Sequence, residues 1–501
     1  MSVTRWFLLL CGIMLGVLPV YPENLVGGTG ENPSTPPSVV AIQDAPSAVI
    51  PGDQKSTAET VSPTLAKYLL EAESNNPGLK AAHYKWRAAL EKVPQVSSLQ
   101  DPKLSFSEYL VNNVETRTGA QDFQLGIAQL FPYPGKLSLR GRAAAEEARA
   151  LEQEFIKARL ALRQEVRDAY YEYYYLEQSI RITDENLELL KHFERVANAR
   201  YGVARSANQD VIKAQVELGE LENELHTLED FREPVQARLN AALNRPSSSP
   251  FPPPNEINLH DVHLETEKIL ELAFTTNPEL RAIDSRIRKQ QTAVRLAKKD
   301  YYPDFNLGLS WINTNDRIDT SPSGNGDDVL IGKVQLNLPV YRKRLAAGVR
   351  EAENGVREFQ NKRSDFENRL SVDLQTALYK LRDAQRQISL YADILIPKAR
   401  QSVEVTQTGY SAEEATFLDL IDAERVLLNF QNRYYRSVAD YGQSLAKIEQ
   451  KVGQAVVGSE APILSVPKVE TTVQEAQQES GPSSPGQTED LAPEEIETLK
   501  H

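Results

Sequence analysis

The stretch TNPELRAIDSR, residues 276–286, restates an earlier stretch of the same chain, NNPGLKAAHYK, residues 75–85. Their Asn-Pro pairs lie 201 residues apart, and the same offset joins Pro102 to Pro303. Offsets of 207 and then 209 residues join later pairs, namely Pro132 with Pro339, Gly141 with Gly348, Tyr201 with Tyr410 and Asp210 with Asp419. Insertions in a repeat usually fall in loops, so the chain is one unit written twice, with copies at 61–243 and 263–452.

Periodicity changes in the same order within each copy. A helical stretch ends at the proline, and alternating apolar and polar residues then predict two strands per copy, at about 103–113, 121–131, 304–314 and 328–338. About sixty residues with apolar side chains at helical spacing follow Gly141 and Gly348. Helices of this length would form rods roughly 90 Å long. Return helices are expected from about Asn208 to Leu243 and from about Thr416 to Val452.

The segments outside the copies differ in composition. A basic start and a short apolar run predict a signal peptide over residues 1–22. Residues 23–60 and the acidic tail 453–501 have the composition of disordered segments, and the proline-rich bridge 244–262 predicts an extended connector. The only cysteine, Cys11, lies in the predicted signal. With 56 Lys and Arg against 70 Asp and Glu, the chain is acidic, which excludes nucleic acid as a natural partner.

The alternating strands point to the membrane. Strands of about ten residues match the span of an outer-membrane β-barrel. Backbone groups in lipid must all be paired, so a barrel has to close, and four strands cannot close by themselves. The strands therefore predict an oligomer, in which two, three or four chains would supply 8, 12 or 16 strands.

Basic and aromatic residues flank the hairpins in both copies, in PYPGKLSLRGR (132–142) and PVYRKRLAAG (339–348). Such residues are typical of the membrane interface, where rings lie at the head groups and long cations reach phosphates. We expect anchors to outer-membrane lipid at Tyr133, Lys136, Arg140, Tyr341, Arg342 and Lys343.

No catalytic pattern is present, and the sequence predicts neither enzyme activity nor a cofactor. His260 and His263 have metal-like spacing but no partner ligands, so no metal site is expected. The run DAYYEYYYLEQ (168–178) is interpreted as packing, with Tyr173 in the seam of the first rod, rather than as a ligand cage.

Taken together, these elements resemble the TolC-type outer-membrane efflux channels. The resemblance covers residues 60–452 and rests on the paired NPxL helices, the hairpins, the rods ending in Tyr-Gly or Gly-Tyr, and the motifs QDVIKAQ (209–215) and LDLIDAE (418–424). QLFPYPGKLSLRG (129–141) is most similar to the branch that serves heavy-metal cation pumps.

The resemblance implies a mainly α fold with a membrane β-barrel portion: a duplicated helix–β-hairpin–long helix–helix unit. Three chains would form a 12-stranded barrel that continues into a long periplasmic α-helical barrel. Such a homotrimer would be a passive conduit working with a periplasmic adaptor (membrane fusion) protein and an inner-membrane pump of the resistance–nodulation–division type.

The resemblance also implies a gate at the periplasmic end. Asp419 and Asp422 would form rings of carboxylates at the pore constriction; the alternative is that they cap the return helix, and both roles can hold together. Tyr410 and Asp210 match a polar latch between the helix pairs. An arginine usual in the second tip is replaced by Ala415, and Arg205 is the expected substitute.

Two other functions fit the same architecture. A type I protein-secretion duct would have the same rods and strands, whereas a non-conducting periplasmic coiled-coil scaffold would need no lipid-facing strand.

Overall fold

The computed structural model describes residues 63–110, 114–202, 208–254, 257, 264–319 and 322–456. The predicted signal peptide, the N-terminal extension and residues 457–501 lie outside these ranges. Everything described here belongs to one compact unit, Thr57–His501.

The first copy contains four helices and three strands among its described residues: α1 Pro63–Asn75, α2 Pro77–Ser97, β1 Lys103–Glu108, β2 Val114–Thr116, β3 Gly119–Phe131, α3 Lys136–Gly202 and α4 Asn208–Leu243. The second copy, over its described residues, follows the same order: α5 Thr266–Thr276, α6 Pro278–Lys299, β4 Phe305–Asn315, β5 Val329–Leu336, α7 Arg342–Leu390, a π-helical turn Tyr391–Leu395, α8 Ile396–Ser411 and α9 Phe417–Val452. The mainly helical architecture with a small sheet is thus confirmed.

The duplicated Asn-Pro pair closes each copy. Asn277 Oδ1 accepts the amides of Glu279 and Leu280, at 2.8 and 3.1 Å, and so caps α6. The proline occupies the first helical turn, where no amide is needed. Asn277 Nδ2 also donates to Lys451 O at 2.7 Å, at the end of α9. Asn76 repeats both contacts, accepting from Leu79 N and donating to Ala242 O, so each motif ties a short helix to its return helix.

The strands form one antiparallel sheet in the order β1-β3-β4-β5. Pairing of β3 with β4 joins the hairpins of the two copies side by side. Within the predicted strand 103–113, β1 covers Lys103–Glu108, and residues 111–113 lie outside the described ranges. The short β2 lies farther along the same edge of β3. β3 begins at Gly119, where φ is +140° and a Cβ would come within 1.9 Å of Asn315 O, so only glycine fits.

One face of the sheet is apolar and exposed. Alternate side chains line up across four strands in rows such as Phe106, Leu125, Trp311 and Leu330. Each of these is exposed by a third or more, and Leu104 by 69%. Because strand side chains alternate between faces, the rows form one continuous apolar surface with no cover from the described residues.

The long helix α3 is the centre of the helical region. It packs along α2, α4, α6 and α9, so it contacts elements of both copies. Tyr170, Tyr173 and Tyr174 are buried in this packing, as the interpretation of the tyrosine run requires. In the second copy, the π-helical turn divides the corresponding rod into α7 and α8.

The described part of the connector is packed onto the first copy. Phe251 is buried against Tyr68, and Tyr173 Oη donates to Phe251 O at 3.0 Å. Arg245 forms a two-point ion pair with Glu71. The described part of the bridge therefore adds Phe251 to the buried core of the first copy, which also includes Tyr68, Tyr170 and Leu239.

Candidate functional site

The tip is the end of the helical region where α3 leads to α4 and α8 leads to α9; residues 203–207 of its first turn lie outside the described ranges. A core drawn from both copies holds it together. Its buried members are Leu187, Leu190, Phe193, Ala197, Val211, Ala214, Leu221, Tyr410, Phe417, Leu420 and Ile421. The tip is therefore a joint between the copies, and four of the predicted gate residues, Tyr410, Asp210, Asp419 and Asp422, lie in its helices.

Asp419 is a capping residue. Its Oδ2 accepts from Thr416 N at 2.9 Å and from Thr416 Oγ1 at 2.7 Å, while Asp419 N donates back to Thr416 Oγ1. This reciprocal capping box starts α9. The bonds from Thr416 hold the pKa of the Asp419 carboxyl below its ordinary value, so the group carries its charge at neutral pH.

Asp422 is exposed one turn later on α9. Its charge lies close enough to Arg425 to help raise the pKa of that guanidinium, after the larger effect of Glu217. Arg425 Nε donates to Glu217 Oε1 at 2.7 Å and also approaches Glu220, which links α9 to α4. The two aspartates thus have different surroundings, and only Asp419 is engaged in capping.

Tyr410 is buried, but the predicted bond to Asp210 is not formed. Its hydroxyl has no hydrogen-bond partner among the described residues. Burial raises the pKa of the Tyr410 hydroxyl, the Arg200 charge lowers it, and the nearby Asp210 carboxylate raises it further. The expected substitute, Arg205, lies outside the described residues.

The arginine that contacts the second tip is Arg200, near the end of α3. Its Nη1 donates to Tyr410 O at 2.6 Å and its Nη2 to Ser411 O at 2.9 Å. The guanidinium carbon lies 4.5 Å from the centre of the Tyr410 ring. Sequence analysis missed this residue, although one signal was available: at the 209-residue offset, Arg200 corresponds to Gly409, so the two tips differ in charge there.

Glu424 is a second residue that the sequence did not single out. It is buried on α9 against Asn186 and Leu190 of α3 and against Glu217 and Leu221 of α4. Neither carboxylate oxygen has a hydrogen-bond partner among the described residues. Burial raises the pKa of the Glu424 carboxyl to about 7.

At the other end of the helical region, Lys136 does not fit its predicted role as a lipid anchor. Its side chain is only 4% exposed, and its ammonium pairs with Asp300 at 3.1 Å and Asp304 at 3.0 Å. Asp304 also accepts Tyr133 N at 2.7 Å. The lysine is instead an internal link between the start of α3 and the segment that leads into β4.

The other predicted anchors vary in exposure. Tyr341, Arg342 and Lys343 are exposed, and Tyr341 reaches 74%. Arg140 is half-buried. Tyr133 stacks on Tyr302, with ring centres 4.5 Å apart, and the Lys299 ammonium lies over its ring.

Over the described ranges, no group of three or more His, Cys, Asp or Glu side chains is arranged to hold a metal ion. His260 and His263 lie outside those ranges. None of the described helices combines the length and the apolarity that a membrane-spanning helix needs.

Two joined copies, a shared sheet with an uncovered apolar face and a charged helical tip define a duplicated channel-type protein of the outer membrane. The chain belongs to the outer membrane efflux protein family, whose model matches residues 69–245 and 269–454. The family consists of channel proteins rather than enzymes, and its members lie in the Gram-negative outer membrane and extend into the periplasm.

Individual relatives are distant. The chain is 21% identical over 424 residues to the cobalt-zinc-cadmium resistance protein CzcC of Cupriavidus metallidurans, covering 84% of this chain and 96% of CzcC. The outer membrane protein VceC of Vibrio cholerae is 20% identical, with a TM-score of 0.67 over 78% of this chain and 96% of VceC. The CmeC outer membrane channel of Campylobacter jejuni is 17% identical, with a TM-score of 0.66 over 81% of this chain and 94% of CmeC. These structural matches support the fold.

Proposed function

We propose that the protein is the passive, trimeric exit duct of a tripartite efflux system. Solutes would pass from an inner-membrane pump, through a periplasmic adaptor, into this duct and out of the cell. Membership of the efflux family supports the general function, and the form of the sheet supports the oligomer.

The observation that carries the proposal is the open sheet. Its outer strands, β1 and β5, pair with no further strand among the described residues. Unpaired strand edges cannot remain in lipid, because each unsatisfied backbone group there costs several kcal/mol. β1 and β2 lie on one edge of β3, so each chain offers four strand positions, and three chains give twelve. The exposed apolar rows would then face the lipid, which a periplasmic scaffold has no use for.

The tip would be the gate of this duct. With three chains around one axis, Asp419 and Asp422 would form two rings of three carboxylates, a strongly cation-attracting mouth. The capping role of Asp419 is compatible with a ring, since its carboxylate remains exposed. Tyr410 and Asp210 would lie on the joint that opens, and Arg205 would lie at its first turn.

The junction between the sheet and the long helices would lie at the periplasmic surface of the outer membrane. Tyr341, Arg342 and Lys343 are exposed where α7 begins, and we assign them to contact with lipid head groups. Tyr133 and Arg140 would lie at the same level. Lys136 is not among these lipid contacts, because it is paired internally with Asp300 and Asp304.

The pump would be of the resistance–nodulation–division type and the adaptor a membrane fusion protein. The similarity to a cobalt-zinc-cadmium resistance protein favours the heavy-metal branch of the family.

The deciding experiment is purification in mild detergent followed by reconstitution into planar bilayers. We expect a stable trimer that dissociates only on heating, and discrete conductance steps. A monodisperse monomer, or a trimer that passes no current, would contradict the proposal.

A further inference from the structure

We propose that Arg200 is the positioning residue that fastens the second-copy tip turn to the first-copy rod within one protomer. The inference rests on the proposed function, since it concerns how the tip of the duct is held. The tip turn is defined here as residues 411–416, that is, the last residue of α8 and the segment that leads to α9.

Arg200 contacts two carbonyls at the end of α8. The carbonyls of Tyr410 and Ser411 belong to the last turn of α8, where helix carbonyls lack partners within the helix. Arg200 donates to both, at 2.6 and 2.9 Å, with two different nitrogens. A cation at a helix C-terminus also complements the helix dipole. The fork of a guanidinium makes this two-point contact possible, which a lysine cannot reproduce.

Arg200 also contacts the ring of Tyr410. Tyr410 packs against Phe417, the first residue of α9, with ring centres 5.6 Å apart. The Arg200 guanidinium lies over the Tyr410 ring, so the Arg200 side chain contacts both the backbone of the turn and a ring of its core. Moving α8 and α9 away from α3 would break all three contacts together.

Hydrogen bonds within the tip turn, such as Glu413 N to Tyr410 O at 3.3 Å and Glu414 N to Gly409 O at 2.8 Å, close the turn on itself but do not join it to the first copy. A side chain at Gly409, the position corresponding to Arg200, would come within 3.2 Å of the Ala415 side chain. Ala415 itself carries no charge. The Tyr410 hydroxyl has no partner among the described residues. Arg200 is thus the described cation that reaches this turn from the other copy.

The test compares purified full-length variants in planar bilayers. Loss of one charge-assisted hydrogen bond corresponds to a factor of about ten or more in an equilibrium. We therefore expect Arg200→Ala to raise the resting open fraction about tenfold or more. Arg200→Lys should be intermediate, because it keeps the charge but only one bond. Arg195→Ala removes an exposed arginine from the same helix and should behave as the wild type.

Unchanged resting conductance in a trimeric Arg200→Ala variant would overturn the inference while leaving the proposed function intact. If that variant does not assemble, Tyr410→Leu, which removes the ring beneath the guanidinium, is the decisive variant, and no gain in open fraction would overturn the inference. If the wild type itself does not conduct, limited proteolysis separates the two ideas. Faster cleavage within residues 411–416 of Arg200→Ala supports the fastening, and equal rates overturn it.

Discussion

At the scale of single residues, the tip contains acidic groups in three different states. Asp419 is held ionised by its capping bonds, Asp422 is exposed, and Glu424 is buried without a partner. All three lie within two turns of one helix and are alike in the sequence. What separates them is which side of α9 packs against α3 and α4, and this packing buries Glu424 while it leaves the two aspartates exposed.

The aspartates lead to a prediction about selectivity. Asp419→Asn keeps an oxygen that can accept from Thr416, so the cap is preserved while the charge is lost. Combined with Asp422→Asn, it removes six charges from a trimer. We expect cation selectivity, and block by polyvalent cations from the periplasmic side, to be lost, with helical content unchanged. Reversal potentials in a salt gradient measure this, and Glu404→Gln on the exposed face of α8 is the control. Full selectivity in the double variant would leave these aspartates as helix caps only.

Glu424 leads to a prediction about pH. Burial raises the pKa of Glu424 from 4.5 to about 7. At pH values between 4.5 and 7, the folded protein therefore keeps a proton on Glu424 that the unfolded chain has released. Stability should therefore fall as pH rises from about 4.5 to about 7, by roughly 3 kcal/mol at most. Glu424→Gln should match the wild type near pH 4.5 and exceed it at pH 8. Glu424→Gln and the exposed control Glu224→Gln are compared by denaturant unfolding. A gain that does not depend on pH would show that ionisation of Glu424 is not the cause.

At the scale of elements, the Asn-Pro motif determines where each copy begins and ends. The asparagine caps a helix with its oxygen and holds the return helix with its nitrogen, while the proline fixes the first turn. The two asparagines differ in burial and in hydrogen bonding. Asn277 is buried and accepts hydrogen bonds from two amides, whereas Asn76 is half-buried and accepts one. The second copy therefore depends more strongly on its motif.

This difference predicts unequal effects of the same substitution. Loss of an N-cap costs about 1 kcal/mol. A buried carbonyl left without a donor costs about 1–3 kcal/mol more. We expect Asn277→Ala to destabilise by about 2–4 kcal/mol and Asn76→Ala by about half as much. Denaturant midpoints of the helical circular dichroism signal measure both. Asn277→Ser restores the acceptor alone and should fall between the wild type and Asn277→Ala; equal losses at the two sites would contradict the argument.

The same scale shows how far sequence reasoning extends. Offsets and periodicity are local properties, and they predicted the helix and strand order in both copies and the alternation of Phe305 to Trp311. Lys136 was misassigned because its partner Asp304 lies 168 residues away, and composition carries no information about such a pairing. Arg200 was missed for the same reason, since its acceptors are on the other copy.

At the scale of the whole molecule, the same kind of antiparallel strand pairing would join the two copies within a chain and neighbouring chains in the proposed assembly. Within a chain, β3 pairs with β4 and joins the two copies. Between chains, β5 of one protomer would pair with β1 of the next, repeating the same antiparallel contact until the sheet closes. The two open edges are therefore the part of the sheet that the proposed assembly would pair.

The last prediction tests that closure with cysteines, since Cys11 in the predicted signal is the only one in the chain. β1 and β5 are separated by two strands, so about 14 Å divides them within a chain, at roughly 4.8 Å per step. That distance is beyond the reach of a disulfide. One cysteine at Ser105 on β1, combined in turn with single cysteines along residues 330–335 of β5, should therefore cross-link only between chains.

Oxidation of the best-matched pair should yield a covalent ring of three chains on a denaturing gel, with bands of one and two chains at partial oxidation. The matched control pairs Ser310→Cys with Ile331→Cys, which are direct neighbours on β4 and β5. It should cross-link within the chain and run as a monomer. If no position on β5 joins Ser105→Cys while the control pair oxidises, the edges do not meet, and the sheet must be completed by something other than a further copy of this chain.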